Sequence, residues 1–521
     1  MTDSQVRVFA GLRSWRGWIL AGIAGALSAL AMAPTFAVPI LLVTVPILVL
    51  LMDCAKSWKR AFALGWWFGF GYMVVGLYWL RNAFLVDAKE FAWAIPFGTL
   101  GLPAGMALYM GAAMVLAWWL WRPGPWRIIT FAAAWTAGEL ARGYLLTGFP
   151  WNLIGDAWSF SPVMAQSAAV YGSYGLSFVT MAIAASPAAL VGRRLAGPRG
   201  WMPVILSVLA LVIMGAGGAY RVLTAGFGTV PGVHLRIVQA NIPQAQKWDV
   251  KKREDVLVKY MTMSDEDVSD GDVTIIWPES AIPYFIDQDI ARRVLIGRLA
   301  RPDGHVILGV PRYRREKDGK LDFWNSLEVL DDEGRTLDIY NKHHLVPFGE
   351  YLPLRWLLAP LGIAKLVEVG DGDFLAGSGV KTIDVPGLPP FSPLICYEAI
   401  FPGQVADESH HPAWLLNITN DAWFGDSNGP RQHFAMVRMR AIEEGVPVVR
   451  AAVTGISAIV DSYGRVRREL PLDVAGVIDG NLPQAIKGRT LFSIVGNWLA
   501  LAMVVASLGI PLFIDKSRSR K

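Results

Sequence analysis

Charged residues and cysteines are scarce in this chain of 521 residues. Only 17% of the residues are Asp, Glu, Lys or Arg, whereas charged residues make up about a quarter of an ordinary soluble domain. Two cysteines are too few for a disulfide scaffold or for a zinc or iron–sulfur site built from cysteines. Because 53% of the residues are hydrophobic, the composition also excludes a disordered chain and a standard cytosolic enzyme.

The net charge of +5 does not indicate a nucleic-acid-binding protein, because the excess positive charge lies in the apolar ends of the chain. Residues 1–221 hold 15 Lys and Arg against 6 Asp and Glu, and residues 490–521 hold 4 against 1. The polar middle, residues 222–489, is acidic, with 29 against 36. This division predicts a membrane domain, then a polar domain, then a last membrane segment with a basic tail.

Eight apolar segments approach or exceed the roughly 20 residues that a transmembrane helix needs. They lie near 17–33, 36–52, 61–80, 91–120, 127–146, 163–191, 201–220 and 491–513. Of the Lys and Arg residues in the short loops and tails, 15 fall on one side of the membrane and 3 on the other, which marks the first side as cytoplasmic. We therefore expect both termini in the cytoplasm and residues 222–489 outside it. The first segment is not a cleaved signal peptide, because further spans follow it.

The polar middle is predicted to be an α/β domain, because strand-like runs first alternate with helical stretches and then form hairpins. Strands are predicted near 234–240, 273–277, 306–310, 391–396, 413–419, 447–453 and 456–461, and two more flank the turn at 331–334. Three of these strands end at a chemically active side chain, namely Glu279, Lys342 and Cys396. Since sites in open α/β sheets form at the carboxyl ends of strands, we expect these three residues to lie together.

A carboxylate, an amine and a thiol form a set suited to nucleophilic acyl chemistry. The thiol attacks an acyl carbon, Glu279 takes its proton, and the Lys342 ammonium helps form the thiolate and stabilises the oxyanion. Each residue alone also fits an ordinary role as a surface charge or a core cysteine. Cys396 is the most informative of the three, because Cys54, its only possible disulfide partner, is predicted at the cytoplasmic end of the second segment. Cys396 is therefore predicted to be a free thiol outside the cytoplasm, where a purely structural cysteine would be unusual.

Longer stretches around these residues are similar to a known family. They are Asn241-Ile242-Pro243-Gln244 with Trp248-Asp249, Trp277-Pro278-Glu279-Ser280, the run from Tyr340 to Tyr351, Ile395-Cys396-Tyr397-Glu398, and the run from Asn417 to Gly425. The chain resembles the apolipoprotein N-acyltransferases of the bacterial inner membrane, a membrane-embedded branch of the nitrilase superfamily. The resemblance implies an α-β-β-α sandwich with a Glu–Lys–Cys triad outside the cytoplasm.

The resemblance also implies a reaction. An acyl chain, the sn-1 chain of a donor like phosphatidylethanolamine, moves through a cysteine thioester to the α-amino group of a diacylated apolipoprotein. Carried over to this chain, Cys396 is the nucleophile, Glu279 the general base and Lys342 the oxyanion stabiliser. Glu350 is a second carboxylate that orients the lysine or aids proton transfer. The resemblance assigns supporting roles to Trp248, Tyr397 and Glu398, and no metal or other cofactor is expected.

Other features of the sequence keep alternatives open. The run 351–369 is apolar enough to be a core segment or an arm that dips into the membrane interface. Glu139 and Arg142 have the spacing of a helical pair, which fits a structural pair or a proton relay, and Trp151 fits an interface anchor or a lipid-facing mouth. His433 and Arg438 are expected to pack or pair on a helix. The His343-His344 and His410-His411 pairs lack metal-ligand spacing.

Two other functions remain possible from the residues alone. A membrane-anchored amidase or nitrilase would use the same triad to hydrolyse a small amide. A transporter with an accessory domain would carry paired polar residues within its membrane segments, and the sequence has few of these.

Overall fold

The structure is a computed structural model that describes residues 15–122, 124–191, 198–266, 273–317, 319–358, 360 and 373–518. The chain divides into two compact units. The first, called the helical unit, comprises Met1–Arg81, Ala94–Ala225 and Thr490–Lys521. The second, called the sheet unit, comprises Asn82–Trp93 and Gly226–Arg489.

Each of the eight predicted apolar segments contains a helix. The main helices are Trp15–Ser28, Leu41–Asp53, Trp58–Gly76, Leu102–Trp119, Trp126–Tyr144, Ala168–Ala185, Pro198–Leu223 and Trp498–Arg518. Glycines allow close helix packing: a Cβ on Gly25 would lie 1.9 Å from the Phe68 carbonyl oxygen, and one on Gly71 would lie 2.0 Å from that of Gly22. Such contacts between small residues are typical of helices that associate in a membrane.

The expectation of eight transmembrane helices is met in part. Within the described ranges, three helices are long and apolar enough to cross a membrane, namely Ala88–Trp119, Ala168–Leu190 and Gly200–Leu223. Three shorter apolar helices are Trp15–Ala31, Val38–Asp53 and Trp498–Gly509. The last predicted segment is divided because Gly496, at a φ of 57°, separates Leu491–Val495 from Trp498–Arg518. A left-handed backbone of this kind ends a helix.

Glu139 and Arg142 are buried, and each binds backbone groups of the loop that follows their helix. Glu139 Oε1 accepts a hydrogen bond from Ile154 N at 3.0 Å, and Arg142 Nη1 donates to the carbonyls of Phe149 and Trp151 at 2.5 and 2.7 Å. The two side chains therefore fix this loop. Trp151 is buried in the helical unit, so neither of its predicted surface roles is correct.

The described residues of the sheet unit form eleven strands in two sheets. They are β1 (Thr229–Gln239), β2 (Val273–Ile276), β3 (His305–Arg315), β4 (Leu321–Leu330), β5 (Thr336–Asn341), β6 (Phe391–Ile395), β7 (Trp414–Thr419), β8 (Val448–Ala452), β9 (Ser457–Val460), β10 (Val466–Leu470) and β11 (Gly476–Pro483). The first sheet has the order β11-β1-β2-β3-β4-β5 and the second the order β10-β9-β8-β7-β6. Pairing is parallel from β1 to β3 and from β6 to β8, and antiparallel at the other pairs.

The two sheets pack face to face through a shared apolar core. Leu235 and Ile237 of β1 belong to the same buried cluster as Ile395 of β6 and Leu416 and Ile418 of β7. Because side chains alternate between the two faces of a strand, each sheet also has an outer face, directed away from this core, on which helices can pack. The sequence prediction of an α/β domain with mixed pairing is confirmed.

Helices cover the outer faces of both sheets. Residues of Arg253–Asp265 and Ile290–Gly297 pack with the outer face of the first sheet, and Asn428–Glu444 packs on the second. The helix Asn428–Glu444 is capped at both ends, because Ser427 Oγ accepts from Gly429 N at 3.1 Å and Gly445 follows at a φ of 72°. The order of layers is therefore α-β-β-α. Short helices in the sheet unit are Ala88–Phe91, Gln244–Lys247 and Arg355–Leu358.

Candidate active site

The three candidate residues stand just beyond the carboxyl ends of strands. Glu279 is the third residue after β2, Lys342 follows β5, and Cys396 follows β6. The side chains of Glu279 and Lys342 meet, with 3.8 Å between Lys342 Nζ and Glu279 Oε1. The Cys396 thiol lies within electrostatic range of both. The structure therefore brings the three predicted residues into one buried site.

Lys342 is only 1% exposed and is held mainly by Glu350. Its Nζ lies 2.9 Å from Glu350 Oε2 and 3.0 Å from Oε1. Burial disfavours the ammonium, but the carboxylates of Glu350 and Glu279 outweigh it and raise the pKa of Lys342. The lysine is therefore a fixed positive charge. Burial in turn raises the pKa of Glu279, which the Lys342 charge opposes, and a higher pKa makes this carboxylate a better base.

Asn325 on β4 joins the two carboxylates, and sequence reasoning missed it. Its Nδ2 donates to Glu279 Oε1 at 2.7 Å and to Glu350 Oε1 at 2.8 Å. Its backbone carbonyl also accepts from Lys342 N at 2.9 Å. The only sequence signal is a polar residue within a strand of the sheet core.

Lys247 is a second residue that sequence reasoning missed. It is buried, and its Nζ donates to the Glu279 carbonyl at 3.1 Å. Burial lowers the pKa of Lys247 to about 8, against the opposing attraction of Glu279. The sequence did hold a signal for Lys247, because this residue directly precedes Trp248, to which the resemblance assigns a supporting role.

Cys396 carries a thiol rather than a disulfide and has a left-handed backbone with a φ of 52°. This conformation is uncommon outside glycine and is typical of residues held under strain at functional sites. Burial and the nearby Glu279 charge raise the pKa of Cys396, although Lys342 opposes them. The resting sulfur is therefore a neutral thiol, which needs a base such as Glu279 to become a nucleophile.

Glu398 is buried and organises the loop after Lys342. Its Oε1 accepts from His343 N at 2.8 Å and from the Tyr340 hydroxyl at 2.8 Å, and its Oε2 accepts from Ile395 N at 2.7 Å. Burial opposes ionisation, but the contacts with His343 and Ile395 N lower the pKa of Glu398 below its usual value. Glu398 thus holds the end of β6, which carries Cys396, beside the loop that begins at Lys342. Tyr397 is buried against the rings of His344 and Phe401.

Trp248 and the apolar run after Glu350 expose large side chains. Trp248 is 42% exposed, and Leu354, Trp356 and Leu357 are 60%, 76% and 45% exposed. Leu352 in the same run is buried. Residues 361–369 of the predicted arm, with Leu361, Ile363 and Leu366, lie outside the described residues.

A buried ionic network contacts the backbone of Cys396. His433 Nε2 is 3.2 Å from the Cys396 carbonyl, and its Nδ1 is 3.0 Å from Asp421 Oδ1. Arg450 Nη2 donates to Asp421 Oδ2 at 2.6 Å. Burial opposes the ionisation of Asp421, but the Arg450 charge and the contact with His433 lower the pKa of Asp421 to about 2. Arg438 Nε donates to the Gly464 carbonyl at 3.2 Å, so the expectation that His433 and Arg438 pack or pair on a helix is confirmed.

One cluster of acidic side chains in the described part of the chain has the spacing of metal ligands. Asp331, Asp332 and Glu333 have ligand atoms within 4.8 Å of one another. Asp331 is already occupied, because its Oδ1 accepts from Glu333 N and Arg335 N and its Oδ2 from Arg335 Nε. These bonds close the turn between β4 and β5, which explains the cluster.

Comparison with known proteins gives consistent matches along the chain. Residues 24–186 match the apolipoprotein N-acyltransferase N-terminal domain, and residues 234–487 match the carbon-nitrogen hydrolase family. A solved amidase from Nesterenkonia sp. aligns with 49% of this chain and 92% of its own at 19% identity and a TM-score of 0.35.

Full-length relatives are considerably closer in sequence. The apolipoprotein N-acyltransferase of Rhodopseudomonas palustris is 44% identical over 96% of both chains. That of Bradyrhizobium diazoefficiens is 41% identical over 97% of this chain and 96% of its own. Because such relatives align with nearly the whole sequence, this chain belongs to the apolipoprotein N-acyltransferase family.

Proposed function

We propose that this protein is an acyltransferase that moves an acyl chain from a phospholipid to the N-terminal α-amino group of a diacylglyceryl-cysteine apolipoprotein. The observation that carries the proposal is the buried site in which Lys342 Nζ lies 2.9 Å from Glu350 and 3.8 Å from Glu279, within electrostatic range of the Cys396 thiol. Relatives that are 44% and 41% identical are named for this activity.

In the first half-reaction the Cys396 sulfur attacks the ester carbonyl of the sn-1 chain of a donor like phosphatidylethanolamine. Because the raised pKa of Cys396 keeps the resting thiol neutral, Glu279 takes its proton as the sulfur attacks. The Lys342 ammonium stabilises the oxyanion of the tetrahedral intermediate. The lysophospholipid leaves with a proton from Glu279, and the acyl chain remains on Cys396 as a thioester.

In the second half-reaction the α-amino group of the apolipoprotein attacks the thioester, which gives the triacylated lipoprotein and regenerates the thiol. The scheme is therefore ping-pong, and side chains alone supply its chemistry. Glu350 orients Lys342 through the contact at 2.9 Å, and Glu398 positions the loop that begins at Lys342. Tyr397 supports the cysteine loop, and the exposed Trp248 is proposed to contact the lipid substrate.

We further propose that the eight apolar helices all cross the bacterial inner membrane, with both termini in the cytoplasm. The membrane domain is residues 1–221, the periplasmic catalytic domain residues 222–489, and the last span with its basic tail residues 490–521. The positive-inside distribution of Lys and Arg supports this orientation. The exposed side chains of Leu354, Trp356 and Leu357 suit an arm that enters the membrane interface, where lipid substrates lie.

Mass spectrometry of the intact, purified protein tests the proposal. Incubation with phosphatidylethanolamine should add the mass of one acyl chain at Cys396, and a diacylated lipopeptide should then remove it as a triacylated product. Cys396→Ala should take up no acyl chain, whereas Cys54→Ala should behave like the unchanged protein. The proposal is wrong if Cys396→Ala turns over normally.

The same experiment separates the acyltransferase from a membrane-anchored amidase with the same triad. An amidase predicts that the acyl group passes to water even when the lipopeptide is in excess. It also predicts release of ammonia from small amides at a rate comparable with that of acyl transfer.

A further inference from the structure

Two buried amide oxygens, on residues that donate hydrogen bonds to Glu279, lack a hydrogen-bond partner among the residues that the structure describes. They are Asn325 Oδ1 and Asn420 Oδ1, on side chains that are 6% and 5% exposed. A buried acceptor left unpaired costs stability, so folded proteins pair nearly all of them. A pair of unsatisfied acceptors next to a proposed catalytic base therefore indicates a ligand that donates hydrogen bonds.

The orientation of the Asn325 amide is fixed by its neighbours. Both hydrogens of Nδ2 are used by acceptors, one on Glu279 and one on Glu350. A flipped amide would direct Oδ1 at two carboxylates, which only accept hydrogen bonds. The oxygen therefore keeps its place with its lone pairs available.

Asn420 contacts the second carboxylate oxygen of Glu279. The backbone N of Asn420 donates to Glu279 Oε2 at 2.8 Å, whereas Asn325 occupies Oε1. Its side chain is held separately, because Nδ2 donates to Gln244 Oε1 at 2.7 Å. This leaves Asn420 Oδ1 as an acceptor that no described residue uses.

We propose that Asn325 Oδ1 and Asn420 Oδ1 receive the N–H groups of the acceptor amine and so select an amine over water as the second nucleophile. This inference rests on the proposed function and concerns the step after the thioester has formed. A primary ammonium has three N–H donors, one for the Glu279 carboxylate and one for each of the two unpaired amide oxygens.

The proton and bond changes of this step balance. The ammonium gives one proton to Glu279, and the freed electron pair of nitrogen attacks the thioester carbon. The remaining two N–H groups donate to the two amide oxygens during the attack. The carbon–sulfur bond breaks as the carbon–nitrogen bond forms, the nitrogen gives a second proton to the Cys396 sulfur, and Glu279 later releases its proton to solvent.

Water cannot satisfy the same set of acceptors. One of its two hydrogens goes to Glu279, and the other reaches a single amide oxygen, so one buried acceptor stays unpaired. Sites built around hydrogen-bonding groups reject ligands that leave those groups unpaired. The two asparagines would thereby protect the thioester from hydrolysis while it awaits the amine.

Asn420→Leu tests the proposal, because it removes Oδ1 and keeps the backbone N–H that binds Glu279. The protein is first acylated with phosphatidylethanolamine and then given a diacylated lipopeptide in water. The measurement is the share of acyl chains found on the lipopeptide and as free fatty acid. On protein that carries the thioester, we expect a ratio of aminolysis to hydrolysis about 10-fold lower, as for one lost hydrogen bond to a charged donor. Asn481→Leu, the same change on an exposed residue of β11, should leave the ratio unchanged.

Asn420→Ser provides a second variant that keeps an uncharged acceptor oxygen on the side chain. It should restore part of the ratio that Asn420→Leu loses, and a ratio as low as that of Asn420→Leu would overturn the proposal. An unchanged ratio in Asn420→Leu, or an equal slowing of aminolysis and hydrolysis, would also overturn it. Absence of any thioester on the unchanged protein would instead reject the proposed function.

Discussion

At the scale of single residues, the charge on Glu279 depends on two lysines that approach it differently. Lys342 faces its carboxylate at 3.8 Å, whereas Lys247 binds its backbone carbonyl at 3.1 Å. Both lysines lower the pKa of Glu279 and oppose the larger effect of burial. The pKa of Lys247, about 8, keeps it charged at neutral pH.

Lys247→Met should therefore shift the pH dependence of thioester formation. Loss of a positive charge near Glu279 raises the pKa of Glu279, so the carboxylate stays protonated up to a higher pH. The acid limb of the rate profile therefore moves to higher pH. The measurement is the single-turnover rate of acylation with labelled phospholipid between pH 5 and 9, the range being about that in which a raised Glu ionises. Lys251→Met, the same change on an exposed lysine nearby, should not move the profile. An acid limb that stays in place in Lys247→Met would contradict this role.

Sequence reasoning identified the residues whose chemistry is visible in the chain itself. Glu279, Lys342 and Cys396 follow strands, and Glu350 and Glu398 lie in stretches that resemble the family. It missed Asn325, because the importance of that residue comes from contacts between segments far apart in the sequence. It also missed Lys247, although Lys247 directly precedes Trp248. A polar residue in a strand reveals neither its partners nor its burial.

At the scale of secondary-structure elements, the end of β2 is positioned by close packing against β3. A Cβ on Gly309 would lie 2.6 Å from both Glu279 Cα and the Pro278 carbonyl oxygen. These neighbours are backbone atoms, which cannot rotate away as a side chain could. The Ile307 carbonyl accepts from Trp277 N and the Gly309 carbonyl accepts from Ala281 N, both at 2.9 Å, so the two segments are joined on both sides of the glutamate.

Gly309→Ala should displace Glu279 and slow thioester formation by about 10²-fold, the effect of a shift of roughly 1 Å at a reacting group. The measurement is single-turnover acylation, with circular dichroism to show that the sheet unit stays folded. Gly226→Ala is a matched control, because a Cβ there meets no atom within 4 Å. Normal acylation by Gly309→Ala would show that the end of β2 tolerates the methyl group.

The strands were predictable where their burial is uniform. β6, β7 and β8 are buried throughout and were predicted as apolar runs. β10 was missed, because its sequence, Val-Arg-Arg-Glu-Leu, is mostly exposed and charged. β11 was missed as well, because glycine, aspartate, asparagine and proline interrupt it. Both strands lie at the edges of their sheets. An edge strand is held by hydrogen bonds to its neighbour and needs no continuous apolar pattern in its sequence.

At the scale of the whole molecule, the proposed orientation makes a prediction about chemical access. In a Cys54→Ala background, Ser409→Cys places a thiol on an exposed residue of the sheet unit, and Ser57→Cys places one before the helix Trp58–Gly76. A membrane-impermeant maleimide applied to spheroplasts should label Ser409→Cys at once. It should label Ser57→Cys only after the membrane is permeabilised.

The opposite pattern of labelling would reverse the orientation inferred from Lys and Arg. Labelling of both positions in intact spheroplasts would instead place residue 57 outside the cytoplasm and change the number of spans before it. The background variant without any added cysteine shows how much label reaches Cys396, which is buried.

The raised pKa of Cys396 has a consequence for the lifetime of the enzyme. Peroxide and similar oxidants react with thiolates far faster than with thiols, and the first product, a sulfenic acid, can proceed to irreversible forms. A cysteine kept protonated by burial and by the Glu279 charge is therefore resistant to oxidants while it waits for substrate. In the periplasm, the location that we propose for the sheet unit, suppressed ionisation would protect the sulfur from an oxidising environment, and each turnover would ionise it only briefly.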